Sequence, residues 1–89
     1  MSFKVTNVVD GDTFDVSPDW KALGKSGKRI RIKGLYAPES NQKGGSQATQ
    51  KLKNLILGKV VTLRNPSNLS YGRLVCDVFL NGENIHSKL

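Results

Sequence analysis

One segment of the chain carries a helical stripe. Ala48, Leu52, Leu55 and Ile56 fall at i, i+4, i+7 and i+8, the spacing that gathers side chains on one helix face. Ser46 suits the N-cap after a Gly44-Gly45 break, and Gly58 supplies the C-terminal stop. The clear patterns on either side of it alternate with the period of a strand.

Before the helix, Phe3 to Val9 reads as a first strand, and Asp10-Gly11-Asp12 as a tight turn with Gly11 free to take a positive φ. Thr13 to Val16 returns as a second strand with Phe14 and Val16 inward. Ser17 to Gly27, with Pro18, Gly24 and Gly27, is expected to be a loop or an irregular hairpin tip. Lys28 to Leu35 alternates as a third strand, with Ile30, Ile32 and Gly34 opposite Arg29, Arg31 and Lys33. Ala37-Pro38 ends it, because proline restricts the residue before it to extended geometry.

After the helix, Lys59 to Arg64 is a fourth strand and Asn65 to Ser70 a polar loop containing Pro66. Arg73 to Leu80 is a fifth strand, with Leu74, Cys76, Val78 and Leu80 inward. Asn81-Gly82 is a strong hairpin signal leading into Glu83-Asn84-Ile85. Three strands, a helix and two strands is the element order of the OB-fold. The expected class is therefore mainly β with one helix, a five-stranded barrel whose helix lies between strands 3 and 4. Residues 1–89 read as one domain, without an internal repeat or linker. Cys76 is the only cysteine, so no internal disulfide supports it. No apolar stretch is long enough to span a membrane, and no N-terminal signal is visible.

Charge gives the first functional direction. Fourteen Lys and Arg against seven Asp and Glu leave a net charge of +7. That balance favours polyanions, of which nucleic acid is the commonest. A membrane surface would call for a basic helix with exposed aromatics, and the helix here has no aromatic residue.

Several residues have the chemistry for a phosphodiester substrate. Asp10 and Asp12 can gather oxygen ligands for a hard cation, although taken alone Asp10-Gly11-Asp12-Thr13 reads as a hairpin turn. Arg31 and Arg73 offer planar forks matched to phosphate oxygens. Glu39, at a strand's end, can orient or deprotonate a water. Tyr71, before Gly72-Arg73, has a flat face for a base and a hydroxyl for a phosphate. Each of these is also an ordinary surface residue when taken singly. Trp20 either pins its loop to the barrel or contacts a base; His86 reads as a surface residue.

Together they form an ordered pattern: the Asp10-Gly11-Asp12-Thr13 turn, Arg31, Pro38-Glu39, a helix, then Tyr71-Gly72-Arg73. This layout resembles the staphylococcal nuclease (thermonuclease-like) family, from about Val8 to Ile85. The resemblance implies that Asp12 is a calcium ligand, with Asp10 supporting the loop and the Ala37 carbonyl as a further ligand. It implies that Arg31 and Arg73 grip the scissile phosphate, that Glu39 activates or positions the attacking water, and that Tyr71 contacts a nucleotide phosphate. The implied activity is calcium-dependent cleavage of DNA and RNA, preferably single-stranded, leaving 3′-phosphoryl ends.

The chain departs from the family pattern at Tyr36, which stands where an aspartate usually completes the calcium site. A phenol with a pKa of about 10 is a poor calcium ligand at neutral pH, so a weakened site is expected. Tyr36 is instead a stacking platform for a base or packing at the rim. Ser70 replaces a common lysine and Leu69 a common aspartate. Leu89 falls near the start of a helix that the family continues, so the expected domain lacks the family's C-terminal helices. The alternative to a nuclease is a non-catalytic OB-fold module that binds nucleic acid, which Tyr36 favours.

Overall fold

The computed structural model describes residues 2–39 and 41–89. Its elements are β1 (Ser2–Asp10), β2 (Thr13–Ala22), β3 (Lys25–Ile32), α1 (Gly45–Ile56), β4 (Val60–Ser70), β5 (Arg73–Leu80), a two-residue β6 (Glu83–Asn84) and a terminal 3-10 turn (Ile85–Lys88). Strand order is β3-β2-β1-β4-β5-β6, and a parallel pairing of β3 with β5 closes the first five strands into a barrel. The expected architecture holds, with the helix between the third and fourth strands. No helix among the described residues is long and apolar enough to cross a membrane.

Alternation fills the barrel. Val5, Phe14, Ile30, Ile32, Cys76 and Val78 point inward and are buried, each large apolar side chain contributing about 1.5–3 kcal/mol. Leu52 and Ile56 of α1 join that core, and the chain leaving the helix is hydrogen-bonded to β1 through Gly58 N–H to Val5 O and Val5 N–H to Lys59 O. Cys76 behaves as a small hydrophobe. Burial, with the nearby Asp77 charge, pushes its thiol up to about 12.

Several local expectations are corrected. The helix is not capped by Ser46. It begins at Gly45 behind Gly44, whose left-handed backbone (φ 80°) suits glycine and makes no side-chain cap bond. Pro66 does not make a loop of 65–70: β4 runs on to Ser70, with a register irregularity between Arg64 and Asn68 that absorbs the missing N–H. The stretch 17–27 is a hairpin rather than a loop, with the β2–β3 ladder resuming at Trp20↔Gly27 beyond an irregularity. Burial explains this. The Trp20 ring is 3% exposed and its indole N–H donates to Arg29 O at 2.9 Å, so it pins the hairpin to the barrel. β3 ends at Ile32, because Gly34 (φ 77°) belongs to a turn and does not point inward.

Gly11 is needed for space rather than for backbone freedom. It is absent from the positive-φ glycines, whereas a Cβ there would lie 2.6 Å from Ala48 Cβ and 2.9 Å from Ala37 Cβ. The β1–β2 turn, the first half of α1 and the 35–39 rim therefore meet at one point.

Candidate active site

β3 is the strand that assembles the site. It pairs with β2 at Thr13↔Arg31 and with β5 at Arg31↔Val75, so these three residues lie side by side across three strands. Val75 is buried yet stands outside the core cluster, which puts this row on the barrel's outer face. Arg73, two residues before Val75, shares that face. From the strand spacings, the Cα atoms of Arg31 and Arg73 are on the order of 8 Å apart. Two guanidinium groups thus share one surface of the barrel wall.

Each arginine is held by local contacts. Arg31 Nη2 donates to Leu35 O at 3.2 Å and lies 3.7 Å from Asp12 Oδ2. Its guanidinium stands 5.0 Å from the centre of the Tyr36 ring. Arg73 Nε donates to Ser70 O at 2.9 Å and its Nη2 to Ser70 Oγ at 3.2 Å, with the Tyr71 ring centre 5.9 Å away. Tyr71 and Gly72 both have positive φ, the tight hairpin geometry that aims this corner. Both tyrosines are exposed, Tyr36 at 83% and Tyr71 at 96%.

Asp12 is buried at the turn, where the Thr13 hydroxyl donates to its Oδ1 at 2.9 Å. Backbone pairing fixes it beside β3, since Ile32 N–H donates to Asp12 O at 2.9 Å. Asp10 is half-buried at the same turn, opposite Thr13. Ala37 lies against Gly11, so its peptide is at the same corner. Asp10, Asp12 and the Ala37 carbonyl are hard oxygen donors of the class calcium takes. No cluster of three or more acidic, His or Cys side chains with metal-ligating spacing occurs among the described residues. The donor set therefore fits a calcium ion only with water or phosphate oxygens filling most positions.

Glu39 is exposed on the rim. Its backbone is fixed, and its carboxylate makes no contact among the described residues: Glu39 N–H donates to Gln42 Oε1, and Gln42 N–H to Glu39 O, both at 2.9 Å. No contact joins Glu39 to either arginine among the described residues. The structure thus gathers Asp12, Arg31 and Tyr36 at one spot and Tyr71 with Arg73 beside them, with Glu39 on the adjoining rim.

Sequence reasoning passed over Asp15 and Arg29. Asp15 is 4% exposed, and Arg29 Nε and Nη2 donate to its two oxygens at 2.9 and 3.3 Å. Burial pushes the Asp15 carboxyl up, but the Arg29 hydrogen bonds and charge, with Asn7 and Lys28, hold it below the ordinary value. The same contact raises Arg29. Their positions, two after Thr13 and two before Arg31, were the available signal. A separate apolar cleft of about 470 Å³, lined by Phe3, Pro18, Trp20, Leu63 and Pro66 among others, contains none of the site residues. The candidate site residues sit on the wall, not in that cleft.

The family model described as staphylococcal nuclease homologue matches residues 29–89. An uncharacterized endonuclease of Escherichia coli O157:H7 is 36% identical over 84 residues, covering 93% of this chain and 52% of its own length. A micrococcal nuclease of Shigella flexneri is 33% identical over 76 residues, covering 85% of this chain and 41% of its own. Protein ParB of Escherichia coli is 32% identical over 80 residues, covering 90% and 42%. The chain spans about half the length of the curated relatives it matches, or less.

Proposed function

The chain belongs to the staphylococcal nuclease family, and from that premise we propose that it is an endonuclease hydrolysing phosphodiester bonds of single-stranded DNA or RNA to 3′-phosphoryl products. The observation that carries this reading is the pair of arginines on one outer face beside a buried carboxylate. A barrel needs no such set for its stability.

In this mechanism Arg31 and Arg73 bind the scissile phosphate and stabilise the charge that builds on its equatorial oxygens. Glu39 accepts a proton from a water aligned with phosphorus. The water oxygen bonds to phosphorus, the bond to the 5′ oxygen breaks, and that oxygen leaves with a proton from solvent. Asp12 and the Ala37 carbonyl would hold calcium, with Asp10 supporting the loop, and when bound the ion supplies Lewis-acid stabilisation of the phosphate. Tyr36 takes the place of a second direct carboxylate, so calcium affinity is low. Tyr71 contacts the substrate next to Arg73.

The second reading, a binding module without cleavage, is favoured by Tyr36 alone. Circular single-stranded DNA incubated with calcium or with chelator separates the two. The nuclease reading predicts calcium-dependent opening of circles, with 3′-phosphate on the products. Salt-sensitive binding with circles left intact would replace it by the second reading.

A further inference from the structure

Beside Tyr36 lies a hollow of about 210 Å³, lined by Gly11, Leu35, Ala37, Pro38, Lys51 and Tyr36 itself among others. We propose that this hollow is a nucleobase subsite, with Tyr36 as its stacking face and Lys51 as the donor to a base carbonyl. The assignment rests on the nuclease reading for the identity of the substrate, and it adds where a base next to the bound phosphate goes.

Four observations carry it. First, Tyr36 is a large aromatic side chain left 83% exposed, so core packing does not account for it. Second, the Arg31 guanidinium lies over the ring at 5.0 Å yet does not line the hollow. Tyr36 therefore touches both a candidate phosphate-binding group and an apolar recess, as a nucleotide's two halves require. Third, Lys51 is exposed on α1 and forms no ion pair among the described residues. An ammonium donates only, so it suits a carbonyl oxygen on a base edge. Fourth, the floor is closely packed, because turn, helix and rim meet around Gly11. A preformed recess limits the ordering cost of binding.

A base can enter the recess only after leaving its stack. Unpaired strands release a base at least cost, so the subsite favours single-stranded over duplex substrate.

The test is binding rather than cleavage, in chelator, using labelled hexathymidylate and its fully abasic counterpart. Tyr36→Ala is expected to weaken hexathymidylate binding roughly tenfold or more, the range of a lost stacking contact. Abasic binding should stay within about twofold, because phosphate contacts are untouched. Tyr36→Phe should retain hexathymidylate affinity, and Lys51→Met should weaken it several-fold. Equal loss on both ligands would mean that Tyr36 acts through Arg31, and would overturn the subsite. No loss on either, or no binding by the unaltered protein at low salt, would overturn it too. Failure of the nuclease reading shows instead as intact circles with calcium, a separate measurement.

Discussion

The Asp12 carboxylate stands 3.7 Å from the Arg31 guanidinium, so a candidate metal ligand and a candidate phosphate clamp neutralise one another. A cation at Asp12 competes with Arg31 for that carboxylate. A phosphate at Arg31 competes with Asp12 for that guanidinium. Each ligand removes part of what opposes the other.

Calcium and nucleic acid are therefore expected to bind cooperatively. In Glu39→Gln, in which cleavage is expected to be slowed strongly, a short oligonucleotide should tighten calcium binding about fivefold or more. By linkage, calcium should tighten oligonucleotide binding by the same factor. Calorimetric titrations in both orders measure this, and independent affinities would contradict it.

Tyr36→Asp restores a second carboxylate beside the turn. Calcium affinity without nucleic acid should rise roughly tenfold, since affinity follows ligand charge. The same change removes the stacking ring, so binding of single strands in chelator should fall. A single substitution moving the two affinities in opposite directions is a distinctive outcome for titration to find.

Gly11→Ala tests the contact of turn, helix and rim. The added Cβ would come within 2.6 Å of Ala48 Cβ and 2.9 Å of Ala37 Cβ, so something must shift. Overpacking of this kind costs about 1–3 kcal/mol, readable by urea unfolding. Calcium binding should weaken further, because the shift separates Asp12 from Ala37. Unchanged stability would show that the corner yields freely.

The Asp15–Arg29 pair predicts acid sensitivity. Burial pushes the Asp15 carboxyl up from 3.8, but Arg29 and its neighbours bring it lower overall. The folded value thus lies below the unfolded one. The stabilisation is complete above the unfolded value and is lost as pH falls through the lowered one. Asp15→Asn should be less stable at neutral pH. It should also lose less stability than the unaltered protein as pH drops below about 4. Thermal unfolding across that range gives the comparison.

How far the sequence reaches differs between fold and site. Five strand-like segments, with the helical stripe from Ala48 to Ile56 after the third, were enough for a five-stranded barrel with one helix. Pro66 and Ser46 misled because a local propensity was overridden in each case, by strand pairing at Pro66 and by the left-handed Gly44 ahead of Ser46. β4 keeps its partner β5 across the proline, and Gly44 starts the helix where a glycine alone is comfortable. For the site, Asp12, Arg31 and Arg73 were legible as residue types. Their meeting on one outer face was not, because it depends on the parallel β3–β5 pairing between residues more than forty apart in the chain. The Asp15–Arg29 pair was hidden for a related reason, since buried charge shows only once the partner strand is in place. Lys51 lies off the apolar stripe of its helix and drew attention only when the recess beside Tyr36 was visible.

Arg31, Glu39 and Arg73 are proposed to act on one phosphodiester, and single-turnover cleavage of a single-stranded oligonucleotide is the decisive measurement. With calcium saturating, the unaltered protein should cut, and Glu39→Gln should slow cutting at least a hundredfold while oligonucleotide affinity stays within about twofold. A cleavage rate unchanged by Glu39→Gln would remove Glu39 from the reaction and overturn the proposed mechanism.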